Sequence, residues 1–331
     1  MLLAVCLYLS FAAAVLFVSM LLLQRGVTTS LPWVWDVQRH VYFAGARNIW
    51  PAQPGCAEFD EQLVYRPRLG TCRFDNPEFS TVQTFTAEGR NTGPKPPGVG
   101  IAVVGDSQGM GWGVNDEETF SAELQRLSGR PVYNLAVSSY GTARELARLE
   151  RSGVLDRVDT VLIQYCENDL EENLSFKPMS VDESRRKFQL IGQAASGRKT
   201  AFGSLPYLAD GYAFTLRLPL TKLKERAFGK ESLDFAAHYA PFIAAIGQHD
   251  ALKQKRVVAF YVNSYGAPFS GYPVGTDPTL PHVEFIELGA GRADCYPVDG
   301  HLTPEGHRKA ARRLFDVLST GPNPGTGPPG H

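Results

Sequence analysis

The sequence predicts an α/β fold in which helices cover both faces of a five-stranded parallel sheet. Short apolar runs of strand length recur from residue 101 onward, and segments with helical periodicity separate them. Strands that alternate with helices form βαβ units, whose parallel strands are buried on both faces. The strand candidates are residues 101–104, 131–137, 158–165, 256–263 and 283–288, and the helix candidates are 117–128, 142–152, 234–254 and 303–319.

Length and charge limit the classes of protein to which this chain can belong. It has 331 residues, of which 44% are hydrophobic and 20% are charged, and its formal net charge is −1. This length fits one large domain with additions, and the neutral balance argues against a nucleic-acid partner. Five cysteines without a CxxC pair predict neither a disulfide framework nor a zinc site. The histidines lack ligand spacing, so we expect no metal and no cofactor.

Residues 1–24 predict a transmembrane anchor. The stretch 2–23 contains no charged side chain and is long enough to cross the hydrocarbon core of a bilayer as a helix. A cleaved signal peptide would have a shorter apolar region that ends at a small-residue cleavage site. Only Ala12–Ala14 resembles such a site, and it lies in the middle of the run. A positive-inside count rests on Arg25 alone and would keep the rest of the chain in the cytoplasm.

Residues 25–98 show little periodicity and predict a juxtamembrane extension, which the Pro- and Gly-rich stretch 91–100 connects to the first strand. Cys56 and Cys72 lie in this extension, 16 residues apart. They are either two unrelated thiols or a disulfide, and a disulfide would imply an oxidising compartment. The extension also carries aromatic side chains of the kind that favour membrane interfaces, namely Trp33, Trp35, Tyr42, Phe43 and Trp50.

Residues 170–233 interrupt the alternation of strands and helices and predict an insertion into a domain that covers 99–319. Within it, residues 215–230 interleave basic side chains with leucines. This pattern is typical of a lid over a site or of a surface that touches a membrane. The simpler interpretation, which we favour, is a solvated helical insertion. Residues 320–331 are rich in Pro and Gly and predict a disordered tail.

Side chains capable of chemistry follow the predicted strands at their carboxyl ends, where open α/β sheets bind their ligands. Ser107 follows the first strand, in a stretch with glycines at several nearby positions. The second strand leads into residues 134–141, the third into 166–169, and Asp299 and His301 precede the last helix. Acyl transfer needs such a set, namely a nucleophile, a base, a group that orients the base, and donors for the oxyanion.

In the order and spacing of these segments, the sequence resembles the SGNH (GDSL-like) hydrolase family. The resemblance is carried by GDSQ at 105–108, NLAVSSYG at 134–141, END at 167–169 and DGH at 299–301. It implies a flavodoxin-like, three-layer α/β/α domain. The upstream segments FDNPEFST (74–81) and EGRNTG (88–93) resemble membrane-anchored bacterial members of the family.

The resemblance also implies a role for each site residue. Ser107 would be the nucleophile, His301 the general base and Asp299 the carboxylate that orients the base. The N–H of Ser107, the amide of Asn168 and the N–H of Ser139 would hold the oxyanion.

The sequence departs from the family pattern at three points. Ser139 stands where the family has a glycine, and Gly141 follows two residues later. Cys166 stands where a glycine is usual. The acid lies two residues before the histidine, where many members have three.

Other residues near these motifs have simpler interpretations. Asp106 is expected to cap the helix that follows it. His307 is the alternative base, but its place inside the start of a helix favours His301. Cys166 is expected to pack rather than to act as a nucleophile. His238, His249 and His282 have no serine or carboxylate motif around them and are expected to be structural or exposed.

These observations predict a serine esterase that forms an acyl-enzyme on Ser107. Its substrate would be an ester such as an O-acetyl group of a glycan or a lipid ester. The chain would be held in a membrane by its N-terminal helix, with the catalytic domain outside the cytoplasm, in the periplasm. The first alternative is an O-acetyltransferase that uses the same triad on a cell-surface polysaccharide. The second is a non-catalytic glycan-binding protein.

Overall fold

The computed structural model describes residues 1–228 and 233–320. The tail from residue 321, predicted to be disordered, lies outside them, as do the last residues of the stretch 215–230. The described helices are α1 (Leu2–Gln24), α2 (Val34–Val41), α3 (Ser107–Met110), α4 (Phe120–Ser128), α5 (Thr142–Arg151), α6 (Asp169–Ser175), α7 (Val181–Ala201), α8 (Leu205–Phe228), α9 (Ala236–Gly247) and α10 (Pro304–Thr320). The described strands are β1 (Ala57–Asp60), β2 (Val64–Pro67), β3 (Gly70–Asn76), β4 (Phe79–Thr86), β5 (Gly89–Arg90), β6 (Gly100–Val104), β7 (Val132–Asn134), β8 (Val158–Tyr165), β9 (Leu233–Asp234), β10 (Arg256–Tyr261), β11 (Phe269–Ser270), β12 (Gly275–Asp277) and β13 (Leu280–Glu287).

The α/β class is confirmed, but the prediction of a five-stranded parallel sheet is wrong for the sheet as a whole. The central sheet has nine strands in the order β12-β13-β10-β8-β6-β7-β5-β4-β3. The five strands that the apolar runs predict lie together at its centre and are mutually parallel. Antiparallel strands extend it at both edges: β12 pairs with β13, and β5, β4 and β3 continue from β7.

Among the strands that the sequence analysis did not predict, β3 and β4 have polar side chains at buried positions. Along β4 every second residue is buried, but two of these are Thr81 and Gln83. Gln83 accepts a hydrogen bond from the indole of Trp50 and donates one to the carbonyl of Trp112. Because hydrogen bonds satisfy the buried amide, the strand keeps its alternation of burial without an alternation of hydropathy.

Helices cover the parallel strands on both faces. On one face α5 and α9 pack through Leu146, Leu149 and Phe242. On the other, α4 and α10 pack through Leu124 and Leu314. The connections from β6 to β7 and from β7 to β8 therefore run on opposite faces. The strand order reverses at β6, so the carboxyl end of β6 borders the crevice where such sheets bind ligands.

The N-terminal helix α1 is long and apolar enough to cross a membrane, although a signal sequence would satisfy the same criteria. Its second half packs against α2 and α8, where Val15, Leu16 and Leu23 are buried. The next helix, α2, joins this group to the loop that precedes α10, since the indole of Trp35 donates a hydrogen bond to the carbonyl of Pro297 at 2.7 Å. Residues 25–47 therefore pack onto the α/β core.

Two features left open by the sequence are defined in the structure. Cys56 and Cys72 form a disulfide that ties the segment before β1 to β3. The described part of residues 170–233 is largely helical: α6 packs on α5 and α9, α7 packs on the β1–β2 pair, and α8 packs on α1 and α2. The face of α7 that carries Phe188 contacts Tyr65 of β2, so this helix is not a freely solvated insertion.

Candidate active site

A cavity of 510 Å³ opens at the carboxyl edge of the parallel strands. All five residues predicted for the site line it: Ser107, Ser139, Asn168, Asp299 and His301. They come from four separate segments that follow β6, β7 and β8 or precede α10. The fold thus brings together the residues that the sequence motifs single out.

Ser107 is the first residue of α3, directly after the turn that ends β6. Glycine is required at Gly105, because a Cβ there would lie 2.6 Å from Oε1 of Gln164. That same Oε1 accepts the N–H groups of Asp106 and Gly109, which fixes the turn. As predicted, Asp106 caps the helix, since its Oδ1 accepts the N–H of Gln108 at 2.8 Å. Burial raises the pKa of Asp106, while the Gln108 N–H opposes that shift.

His301 links the serine to a buried carboxylate. Its Nε2 lies 2.7 Å from Oγ of Ser107, and its Nδ1 is hydrogen-bonded to Oδ1 of Asp299. With Nδ1–H donated to the carboxylate, Nε2 is left to accept the serine proton. The side chain of Gln108 accepts the N–H of Leu302 at 3.2 Å and so joins the histidine loop to the serine turn. In this arrangement the three side chains can serve as a nucleophile, a base and an orienting acid.

The alternative base, His307, lies elsewhere. It is buried on α10, where its Nδ1 accepts the N–H of Phe120 at 3.2 Å. Burial lowers the pKa of His307 to about 3, so the ring is neutral at physiological pH. Its ring is stacked on Phe120 in the layer between α4 and α10. His307 therefore serves the packing of these two helices.

Asp299 is fully buried, and besides His301 it is held by two hydrogen-bond donors and one cation. The hydroxyl of Tyr42 and the indole N–H of Trp112 both donate to Oδ2, the latter at 3.2 Å, and Nε of Arg47 lies 3.6 Å from the same oxygen. Burial alone would raise the pKa of this carboxyl. The charges of His301 and Arg47 and these hydrogen bonds outweigh burial and hold the pKa of Asp299 well below its ordinary value.

Trp112 also contacts His301 directly. Its indole is stacked on the imidazole of His301, with 4.9 Å between ring centroids and an interplanar angle of 14°. The guanidinium of Arg47 lies over the indole, 4.6 Å from its centroid. The stack limits rotation of the imidazole, so that its two nitrogens stay aligned with Ser107 and Asp299.

Glu78 anchors the backbone that carries the acid. Its carboxylate accepts the N–H groups of Val298 and Asp299, at 3.0 Å and 2.5 Å. Burial raises the pKa of Glu78 to about 7, against the effect of these two hydrogen bonds. Sequence reasoning missed Tyr42, Arg47, Glu78 and Trp112 as contributors to the site. Two of these carried a signal, since Trp112 lies in the same glycine-rich stretch as Ser107 and Glu78 lies in the segment FDNPEFST (74–81) that carries the family resemblance.

The expected oxyanion donors lie on two loops beside Ser107. Ser139 has a φ of 62°, in the left-handed region that favours glycine, and its side chain is exposed. Two side chains fix the backbone of this loop. Arg144 donates a hydrogen bond to the carbonyl of Ser139 at 2.6 Å, and Tyr65 donates one to the carbonyl of Ser138. Asn168 immediately precedes α6 and lines the cavity. The backbone at Ser139 thus has the conformation of a glycine although the residue is not one.

Cys166 is a buried thiol, and His238 and His249 are bound by other side chains. Burial raises the pKa of the Cys166 thiol well above its ordinary value, so the residue stays a protonated thiol. His238 is hydrogen-bonded to the hydroxyl of Tyr165 at 2.9 Å, and His249 is paired with Glu150. Among residues 1–228 and 233–320, no group of three or more His, Cys, Asp or Glu side chains is arranged to hold a metal ion.

One wall of the cavity comes from the insertion. Glu171, Glu172 and Ser175 of α6 and Lys187 of α7 line it, and Arg47 faces it from the N-terminal segment. Helices α6 and α7 therefore form part of the cavity wall, whereas the described residues of the stretch 215–230 are not among those that line it. The wall is polar and charged, and it leaves room for a hydrophilic ligand next to Ser107.

No protein-family model matches the sequence, and no curated protein matches it significantly. The solved structures with a similar fold include a protein of the G-D-S-L family from Desulfitobacterium hafniense, with 10% identity, a TM-score of 0.33, and coverage of 66% of this chain and 99% of that chain. A family two carbohydrate esterase from Clostridium thermocellum in complex with cellohexaose has 11% identity, a TM-score of 0.33, and coverage of 70% and 66%. A carbohydrate esterase family 2 enzyme from Corynascus thermopiles has 12% identity, a TM-score of 0.35, and coverage of 70% and 68%. At these identities and TM-scores the similarities assign no activity, which must be argued from the site itself.

Proposed function

We propose that the chain is a serine esterase of SGNH type. The observation that carries the proposal is the hydrogen-bonded series Ser107–His301–Asp299, with 2.7 Å between Oγ of the serine and Nε2 of the histidine. Nucleophilic acyl transfer requires this connection. The order and spacing of the motifs that contain these residues resemble the SGNH family and give independent support.

In the proposed mechanism, Oγ of Ser107 attacks the ester carbonyl carbon while Nε2 of His301 takes the hydroxyl proton. Asp299 accepts the hydrogen bond from Nδ1–H and stabilises the imidazolium. The N–H groups of Ser107 and Ser139 and the amide of Asn168 bind the oxyanion. The C–O bond to the leaving group then breaks, and His301 passes its proton to the departing alkoxide.

The acyl-enzyme is hydrolysed by the same steps with water as the nucleophile. His301 takes a proton from water as the water oxygen attacks the acyl carbon. The second oxyanion collapses, the bond to Oγ breaks, and the proton returns to Ser107. The products are an alcohol and a carboxylic acid, and the enzyme is regenerated.

The composition of the cavity wall favours a glycan ester over a lipid ester. Glu171, Glu172 and Lys187 present charged groups to the space beside Ser107. An acyl chain buried against them would desolvate these groups without offering hydrogen bonds in return, whereas sugar hydroxyls can donate and accept. An O-acetylated sugar would place its small acyl group next to Ser107 and its hydroxyl groups against the charged side chains of the cavity wall.

We further propose that α1 anchors the protein in a membrane, with the catalytic domain outside the cytoplasm. The apolar composition of α1 supports the anchor, and the disulfide Cys56–Cys72 supports an oxidising compartment.

The test is ester hydrolysis by the purified full chain, with p-nitrophenyl acetate and an acetylated glycan as substrates. We expect Ser107→Ala to abolish turnover. Asn168→Ala should lower kcat by about 10²–10³, because an oxyanion donor is typically worth this factor. Ser319→Ala, at an exposed position on α10, is the matched control and should behave as the unaltered chain. Unchanged turnover in Asn168→Ala would remove that residue from the mechanism.

Product analysis separates the hydrolase from the transferase that uses the same residues. With an acetyl donor and a glycan acceptor, release of free acetate supports hydrolysis, and accumulation of acetylated glycan supports transfer. A glycan-binding protein would give neither product and would retain glycan binding in Ser107→Ala.

A further inference from the structure

We propose that α8 is a second membrane-contacting element, which lies against the bilayer beside α1. The inference rests on the membrane anchor proposed above, and the bilayer is the occupant to which it commits. It arises from an apolar stripe on α8 that neither the α/β core nor the candidate active site explains.

The stripe consists of apolar or aromatic side chains spaced three or four residues apart, which places them on one face of the helix. Its middle is covered by α1: the hydroxyl of Tyr212 donates to the carbonyl of Leu9, and the hydroxyl of Tyr8 donates to that of Leu216. The stripe comprises Leu205, Leu208, Tyr212, Leu216, Leu220 and Leu223.

Both ends of the stripe are uncovered, on either side of the place where α1 crosses it. Leu205 is 80% exposed, and Leu220 and Leu223 are 59% and 63% exposed. Helix α1 passes close to the α8 backbone, since a Cβ at Gly211 would lie 2.9 Å from Cδ1 of Leu16. Any lipid that surrounds the middle of α1 therefore also meets the two ends of the stripe.

Another face of α8 binds the rest of the protein and fixes the direction of the stripe. Tyr207 donates a hydrogen bond to the carbonyl of Val41 at 2.7 Å, and Lys222 forms an ion pair with Asp36 at 2.8 Å. Because these contacts hold the helix against α2, the stripe cannot turn inward to bury its leucines.

Charge on α8 agrees with a bilayer as the occupant. Arg217, Lys224 and Arg226 are exposed near the C-terminal end of the stripe. Cationic side chains beside an apolar face are the pattern of an interfacial helix, because their aliphatic stems lie along the apolar region while their charges reach anionic headgroups. A second copy of the chain would cover the leucines but would not account for these cations.

The experiment measures the depth of single fluorophores in vesicles. Full-length protein with Cys6→Ser, which removes the exposed free thiol, is labelled with an NBD maleimide at one new cysteine and reconstituted into phosphatidylcholine–phosphatidylglycerol vesicles that contain acyl-brominated lipid. Leu220→Cys and Leu223→Cys report the stripe, and Thr221→Cys reports another face of the same helix. Phe11→Cys reports α1. Asp156→Cys, at an exposed position just before β8, reports the amino ends of the parallel strands, on the side of the sheet away from the cavity.

We expect brominated lipid to quench the labels at positions 220 and 223 as well as the label at position 11. The label at position 221 should lose less emission, and the label at position 156 should lose none. If the label at position 11 is quenched while those at 220 and 223 are not, the α8 inference is wrong and the anchor stands. If the label at position 11 is not quenched, the anchor itself is wrong. Equal quenching at 220, 221 and 223 would contradict the assigned face.

Discussion

Glu78 should make the stability of this protein depend on pH, and Glu78→Gln tests this. The carboxylate is partly buried behind Asp299, the proposed catalytic acid, where it accepts the N–H groups of Val298 and Asp299. Burial raises its pKa from 4.5 to about 7. Glutamine has nearly the same shape and can still accept these N–H groups, but it cannot ionise. The substitution therefore isolates the energetic cost of charging this buried position.

The sign and size of the expected change in the free energy of unfolding follow from proton linkage. A carboxyl whose pKa is higher in the folded than in the unfolded state binds more protons when folded, so the free energy of unfolding falls as pH rises. This loss of stability begins near the pKa that Glu78 has in the unfolded state and is complete above the pKa that it has in the folded state. The difference between 4.5 and about 7 corresponds to about 3 kcal/mol. Relative to the unaltered chain, Glu78→Gln should therefore gain about 3 kcal/mol of stability between about pH 4 and about pH 8.

Denaturant unfolding of both proteins across this pH range provides the measurement. Glu117→Gln, at an exposed position on the neighbouring segment, is the matched control and should show no such change. A stability difference between Glu78→Gln and the unaltered chain that stays constant with pH would refute the reasoning. It would show that Glu78 ionises as easily in the folded as in the unfolded state.

Three further predictions concern the surroundings of the site. Tyr42→Phe should lower kcat on acetyl esters by about tenfold with little change in KM, because the lost hydroxyl holds Asp299 rather than substrate; a larger effect on KM would argue against this role. Ser139→Gly should keep activity, since the backbone N–H remains, and should raise the free energy of unfolding by about 1 kcal/mol by relieving the left-handed φ; a loss of activity would show that the side chain takes part. Cys72→Ala should lower the free energy of unfolding by about 3 kcal/mol under oxidising conditions, and a reductant should reproduce that loss in the unaltered chain; a reductant without effect would mean that the disulfide Cys56–Cys72 does not form in solution.

The central strands and the main catalytic candidates could be predicted because their signals are local. The innermost parallel strands are buried on both faces and so appear as apolar runs, as in the all-buried β6. Ser107, Asn168 and His301 stand directly after such runs or before a helix, where the topology of an open α/β sheet places ligands. The cysteine pairing could not be decided, because the spacing of Cys56 and Cys72 fits a disulfide and two separate thiols equally well.

The supports of the site were missed because they depend on contacts between distant parts of the chain. Tyr42 lies 257 residues before the Asp299 carboxylate to which it donates, and Glu78 lies 221 residues before the N–H that it accepts. No motif connects such positions. The edge strand β4 was missed for a different reason. Its buried residues Thr81 and Gln83 are polar, so they interrupt the alternation of hydrophobic and polar residues that predicts a strand.

The central claim is that Ser107 is the nucleophile of an acyl-transfer site. Labelling with a fluorophosphonate followed by mass spectrometry of the modified peptide tests it most directly. We expect one adduct, on Ser107, which is lost in Ser107→Ala and strongly slowed in His301→Gln, since the histidine must take the serine proton. Absence of labelling in the unaltered chain, or an adduct that persists in Ser107→Ala, would contradict the proposed mechanism.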